Sequence, residues 1–61
     1  MKVRDIKRVV ERDGWYHVRT RGSHRQYKHR FKRGTVTISG RDSKDLPRWL
    51  EISILKQAGL R

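Results

Sequence analysis

The residues of this 61-residue chain that are best suited to chemistry are its three histidines, His17, His24 and His29. An imidazole can accept and donate a proton, so a histidine among cationic side chains can act on an anionic substrate. The chain has no cysteine and no His-Glu-x-x-His motif, and it can hardly supply the ligands of a zinc site. It also lacks a glycine-rich nucleotide-binding loop. We therefore expect neither a metal nor a small-molecule cofactor.

The histidines lie in a strongly basic segment. The chain has 17 Lys and Arg against 6 Asp and Glu, a net charge of +11, and no acidic residue occurs from Gly14 to Arg41. Such segregation costs self-repulsion, so it indicates a polyanionic partner: nucleic acid, an anionic membrane surface or an acidic protein. A solvated face without a partner is the alternative. Because there is no signal peptide and no long apolar run, we expect a cytoplasmic protein that does not enter the membrane.

The elements that must position the histidines follow from hydrophobic periodicity. Apolar residues at helical spacing predict a helix over residues 2–13 that ends at Gly14. Alternation and turn signals predict strands at 15–21, 24–32 and 35–39, and Pro47 and Gly59 bound a helix at 47–58. The short connections indicate an antiparallel meander. The prediction is a single α+β domain, residues 1–61, of order α-β-β-β-α, with two helices on one face of a three-stranded sheet.

Strand alternation separates two faces of this sheet. The apolar face, to be covered by the helices, is predicted to carry Tyr16, Val18, Thr20, Arg25, Tyr27, His29, Phe31, Val36 and Ile38. Covering the other face instead would bury at least four cations. That other face is predicted to expose His17, Arg19, Arg21, His24, Gln26, Lys28 and Arg30, with a row of Thr and Ser. A β-bulge would change the assignment by shifting the register by one residue.

An imidazole beside arginines on an open sheet face can cleave RNA without a metal. RNA carries its own nucleophile, the 2′-hydroxyl group, so His24 would take its proton while nearby cations stabilise the phosphorane-like transition state. From the pattern alone, the commoner role for His24 would be to cap the Gly22-Ser23 turn or to contact a phosphate without catalysis. Packing is the commoner role for a histidine placed like His29.

Four segments together resemble the HicA (YcfA-like) toxins: Gly14-Trp15, Arg21 to His29, Val36 to Ile38, and Ser53 to Leu60. They cover nearly the whole chain in the right order. The resemblance implies a fold similar to the double-stranded-RNA-binding domain. It also implies an mRNA interferase of a type II toxin–antitoxin pair that is inhibited by a HicB antitoxin. The family's essential histidine, in the Gly-Ser-His segment, corresponds to His24.

The leading hypothesis is therefore a metal-independent endoribonuclease with His24 as general acid/base. Its RNA contacts are expected from Arg19, Arg21, Ser23, Gln26, Lys28 and Arg30. A second hypothesis is a non-catalytic RNA-binding module of the double-stranded type, which would read shape and backbone. A third is an interaction protein whose basic face docks an acidic partner. Whether the purified protein shortens RNA in EDTA discriminates the first hypothesis from the others.

Overall fold

The elements of the chain follow the order α-β-β-β-α, as the sequence predicts. The computed structural model describes residues 1–61. Its elements are α1 (Val3–Arg12), β1 (Tyr16–Arg21), β2 (His24–Lys28), β3 (Val36–Ser39) and α2 (Arg48–Gln57). The strands form one antiparallel sheet in the order β1-β2-β3, so β2 is central. The predicted α+β class and strand arrangement are confirmed.

Both helices pack on the same face of the sheet. From α1, Val3, Ile6 and Val10 are buried, and from α2 Ile54, together with Ala58 directly after its end. They share one core with Trp15, Leu46 and three sheet residues, Tyr27, Val36 and Ile38. Each fully buried aliphatic side chain of this kind contributes about 1.5–3 kcal/mol. The helices thus cover the apolar side of β2 and β3, whereas no residue of β1 is buried.

Glycines end both helices where the sequence predicts. Gly14 follows α1 with φ +106°, and the N–H groups of Gly14 and Trp15 donate to the carbonyls of Glu11 and Val10. This is the Schellman pattern, which satisfies carbonyls that a helix end leaves free. Gly14 has a second reason to be glycine, because a Cβ there would lie 2.8 Å from Nε2 of His29.

The second strand is shorter than predicted, because it ends at Lys28 rather than at residue 32. The His29 ring accounts for this. Its Nε2 donates to the carbonyl of Asp13 at 2.7 Å, and its Nδ1 accepts the N–H groups of Phe31 and Lys32. Backbone groups that bond to this side chain are withdrawn from the sheet. His29 is therefore a packed, structural histidine, as expected.

A β-bulge changes the face assignment of the first half of β1. The register pairs Arg19 with Gln26 but His17 with Tyr27, so Val18 is an extra residue. The predictions for Arg19 and Arg21 are confirmed, because both share a face with His24. The predictions for Tyr16 and His17 are wrong. Tyr16 pairs with Lys28 on the basic face, whereas the His17 ring stands against Tyr27, 5.6 Å between centroids, and contacts Thr20 Oγ1 at 2.7 Å.

Candidate nucleic-acid interface

The position of His24 is set by a tight turn. Gly22 and Ser23 are the only residues between β1 and β2. Gly22 has φ +59° at the first central position of this turn, where a type II′ hairpin turn requires a positive φ. The carbonyl of Ser23 accepts the N–H of Gly40 at 3.3 Å, which ties the turn to the end of β3. His24 therefore begins β2 directly after a turn that is fixed on both sides.

The face of the sheet away from the helices has three cross-strand rows, which we call the open face. Directly paired residues lie on the same face of an antiparallel sheet. The rows are Arg21–His24–Ser39, Arg19–Gln26–Thr37 and Tyr16–Lys28. His24 is thus flanked by a guanidinium-bearing residue on one strand and a hydroxyl-bearing residue on the other. Gln26, half-buried at the centre, offers an amide in the next row.

The cations of the open face have no carboxylate partner. Arg19, Arg21 and Lys28 are exposed and form neither an ion pair nor a side-chain hydrogen bond within the protein. The acidic residues are paired elsewhere or lie in α1. Their pairs are Asp13–Lys32, Asp42 with Lys7 and Arg25, Asp45–Lys2, and Glu51 with the N-terminal ammonium group. The open face is therefore a purely positive surface.

One carboxylate near the sheet is held firmly ionised away from this face. The hydrogen bond from Lys7 holds the pKa of Asp42 below its ordinary value, and the positive charge of Arg25 acts in the same direction. Arg25 also donates to the carbonyl of Gly40 at 2.9 Å. Its charge is thus used on the helix side of the sheet, which leaves anion binding to the cations of the open face.

The His24 ring is exposed and makes no hydrogen bond within the protein. Both of its nitrogens are therefore available to a ligand. This differs from His29, whose two nitrogens are occupied, and from His17, whose Nε2 is engaged by Thr20. Among the three histidines, His24 alone combines a position on the open face with a ring that has no partner within the protein.

Comparison with known proteins identifies the family. Residues 3–60 match the family described as the HicA toxin of bacterial toxin–antitoxin systems. The chain belongs to the HicA toxin family. The match spans nearly all of the chain and confirms the resemblance that the sequence shows. A search of curated proteins finds no match. Neither helix of this HicA-family chain is long and apolar enough to cross a membrane.

The segments that carry the HicA resemblance occupy distinct places in the fold. The Gly-Ser-His segment forms the β1–β2 turn and starts β2, whereas the segment from Ser53 to Leu60 forms the second half of α2 and its end. Ser23 is exposed in the turn. Arg30 lies beyond the end of β2, so its predicted place in the alternation of that strand is wrong.

Two features of this HicA-family chain were missed from the sequence. The first is a cavity of about 200 Å³ beside the turn, lined by Thr20, Gly22, Ser23, Arg25, Gly40 and Arg41. It forms where two loops meet, and strand alternation gives no signal for such a meeting. The second is a larger cavity at the opposite end of β1 and β2, which contains Tyr16 and Arg30. The only feature of the sequence analysis that bears on this cavity is the possible β-bulge, which would move Tyr16 to the other face of the sheet.

Proposed function

We propose that this HicA-family toxin is an endoribonuclease, an mRNA interferase that cleaves RNA without a metal. The single observation that carries the proposal is the exposed, unpartnered ring of His24 beside Arg21 on a face without carboxylates. Histidine is the residue most often used for acid–base catalysis, and such catalysis contributes roughly 10²–10⁴-fold in rate. Membership of the HicA family supports the same activity.

The chemistry needs no group beyond RNA, His24 and the neighbouring cations. His24 accepts the proton of a 2′-hydroxyl group as the 2′-oxygen forms a bond to the adjacent phosphorus. The bond from phosphorus to the 5′-oxygen breaks, and that oxygen leaves with a proton from the imidazolium or from water. The direct products are a 2′,3′-cyclic phosphate and a 5′-hydroxyl end.

The cations of the open face have two roles in this scheme. Arg21, directly opposite His24, stabilises the extra negative charge of the phosphorane-like transition state. Arg19 and Lys28, in the next two rows, hold neighbouring phosphates, and Gln26 and Ser23 offer hydrogen bonds. Arg30 extends the positive surface beyond the end of β2. Phosphate contacts of this kind fix the register of the RNA but carry little sequence information.

The proposed protein partner is a HicB-like antitoxin. A net charge of +11 on 61 residues favours a partner with an acidic surface. An antitoxin that covers the open face would block His24 and neutralise the cations around it in one contact. This explains how a toxin with an exposed active face can be kept inactive.

The decisive experiment is a cleavage assay on a long single-stranded RNA in the presence of EDTA. Wild type should shorten the RNA, and His24→Ala should lose the activity while it retains its fold and most of its RNA affinity. His17→Ala is the matched control. Like His24, His17 is exposed, but it belongs to β1 and lies on the opposite face of the sheet. Equal cleavage by wild type and His24→Ala would contradict the catalytic role. RNA binding by a wild type that never cuts would favour a non-catalytic RNA-binding module.

A further inference from the structure

An open cavity of about 560 Å³ lies at the end of β1 and β2 that is remote from the Gly22–Ser23 turn. It is lined by Asp13, Gly14, Tyr16, His29, Arg30 and Phe31. This volume is within the range of pockets that bind small organic ligands. The proposed cleavage reaction uses none of its features except the positive charge of Arg30.

Two aromatic side chains of this cavity are exposed to solvent. Phe31 is 86% exposed and Tyr16 is 51% exposed. Phenylalanine is among the residues that are most often buried. A single exposed apolar residue needs no explanation, but two exposed aromatic residues at one cavity are typical of a binding surface. The π-faces of all nucleobases stack on such rings, largely irrespective of sequence.

The walls of the cavity are fixed in place by His29. Its side chain is only 8% exposed, and its ring lies edge-on to Trp15, 5.2 Å between centroids. Through Nδ1 it holds the backbone N–H of Phe31, and through Nε2 the carbonyl of Asp13. Phe31 therefore stands on a turn that is anchored to the end of α1, and its exposed ring lies beside the His29 ring, 6.1 Å between centroids. A preordered wall of this kind lowers the entropic cost of binding a ligand.

The cavity is continuous with the open face. Tyr16 is paired with Lys28, the last residue of β2, whereas His24 is the first. Four residue intervals of strand separate the two rows, a distance of about 14 Å. A single-stranded RNA segment whose phosphates follow the cations from Arg21 towards Lys28 would reach this cavity next. Arg30 supplies a further positive charge there.

We infer that this cavity is a base-stacking subsite of the toxin. An unpaired RNA base stacks on the Phe31 ring, with Tyr16 lining the same cavity and Arg30 contacting an adjacent phosphate. The inference rests on the proposed action on RNA and specifies its substrate: the RNA must be single-stranded near the cleaved bond, because a base inside a duplex cannot enter the cavity.

The test measures binding of a 2′-O-methyl oligonucleotide, which lacks the attacking hydroxyl group and is not cut. Fluorescence anisotropy should show that Phe31→Ala weakens binding by about 5- to 150-fold, the effect of losing one stacked base. Phe31→Tyr keeps a ring and should bind like wild type. Trp49→Ala is the matched control, because Trp49 is 70% exposed but lies outside the cavity. Removal of one exposed ring should leave the melting temperature of each variant near that of wild type.

A scan with one abasic nucleotide at a time identifies the stacked base. In wild type, one abasic position should weaken binding, and in Phe31→Ala the same position should cause no further loss. Unchanged affinity of Phe31→Ala, or a loss that is independent of the abasic position, overturns the subsite. Unchanged RNA binding with a weakened antitoxin complex also overturns it and assigns the cavity to the protein partner. Since no cleavage is measured, failure of the nuclease proposal is detected separately, with unmodified RNA.

Discussion

Arg21 and His24 lie directly opposite each other at the end of the β1–β2 pair, and only Gly22 and Ser23 separate them along the chain. Directly opposed residues in an antiparallel pair have Cα atoms about 4.5–5.5 Å apart. A two-residue turn thus places the permanent positive charge of Arg21 beside the imidazole ring of His24. In the proposed reaction, this pair supplies both the group that transfers the proton and the charge that stabilises the transition state.

Replacing Arg21 with Gln should slow RNA cleavage by up to about 10²-fold, because the charge that develops in the transition state loses its neighbour. The measurement is kcat and KM on one RNA. Arg8→Gln is the control, since Arg8 is an exposed cation of α1 without an ion pair. A rise in KM at unchanged kcat would show that Arg21 only holds the substrate.

Neutralising Lys28 should reduce the salt dependence of RNA binding. For single-stranded RNA, each neutralised phosphate contributes about 0.7 to the slope of log affinity against log salt. Lys28→Gln and Arg19→Gln should each lower the slope by about this amount. The measurement is a series of dissociation constants for uncut 2′-O-methyl RNA at increasing salt. Arg8→Gln should leave the slope unchanged, and an equal effect of all three variants would contradict a specific phosphate path on the open face.

Local periodicity in the sequence predicts the element order, the buried face of α1 and β3, and most of the open face. Phe31 and Val18, predicted on the face that the helices cover, are instead exposed. Val3, Ile6, Val9 and Val10 recur at helical spacing, which predicts one apolar stripe on α1. Val3, Ile6 and Val10 are buried and Val9 is half-buried. The alternation of β2 correctly placed His24 and Lys28 together. What failed depends on contacts distant in sequence. Nothing local marks Val18 as the extra residue of a bulge, yet the bulge moves Tyr16 onto the open face and His17 off it.

The local sequence pattern does not predict the end of β2 at Lys28 either. Residues 29–32 keep an alternating pattern, and only the contact of His29 with the carbonyl of Asp13, 16 residues away, shows why the chain leaves the sheet. The cavity at Phe31 is a consequence of that contact. The alternation pattern of a single strand cannot predict this cavity, because Asp13, the residue that His29 contacts, lies at the end of α1.

Substituting Gly14 by Ala should destabilise the fold more than substituting Gly22 by Ala. At Gly22 the added Cβ meets no atom within 4 Å, so the cost is that of the positive φ alone, about 1–3 kcal/mol. At Gly14 the positive φ is combined with a Cβ position 2.8 Å from the His29 ring. Free energies of unfolding from urea titrations give the comparison. Equal losses in the two variants would show that the ring of His29 yields without cost.

Acid should weaken the junction at which Asp13 joins the ends of both helices. Asp13 accepts hydrogen bonds from Lys32 and from the indole of Trp15, and both donors also reach the carbonyl of Ala58. The hydrogen bond from Lys32 holds the pKa of Asp13 below its ordinary value of 3.8. A lowered pKa in the folded state means that the carboxylate stabilises the fold fully above the unfolded pKa. This stabilisation is lost as the pH falls through the folded pKa.

The corresponding prediction is that Asp13→Asn is less stable than wild type near neutral pH, and that the difference shrinks as the pH falls below 3.8. Urea titrations at a series of pH values measure it. Glu11→Gln is the matched control, because Glu11 is an exposed carboxylate in the last turn of α1 without an ion pair. A difference between wild type and Asp13→Asn that is constant with pH would show that the carboxylate acts by packing alone. Since His29 bonds to the backbone carbonyl of residue 13, which Asp13→Asn retains, the turn that carries Phe31 should stay anchored in this variant.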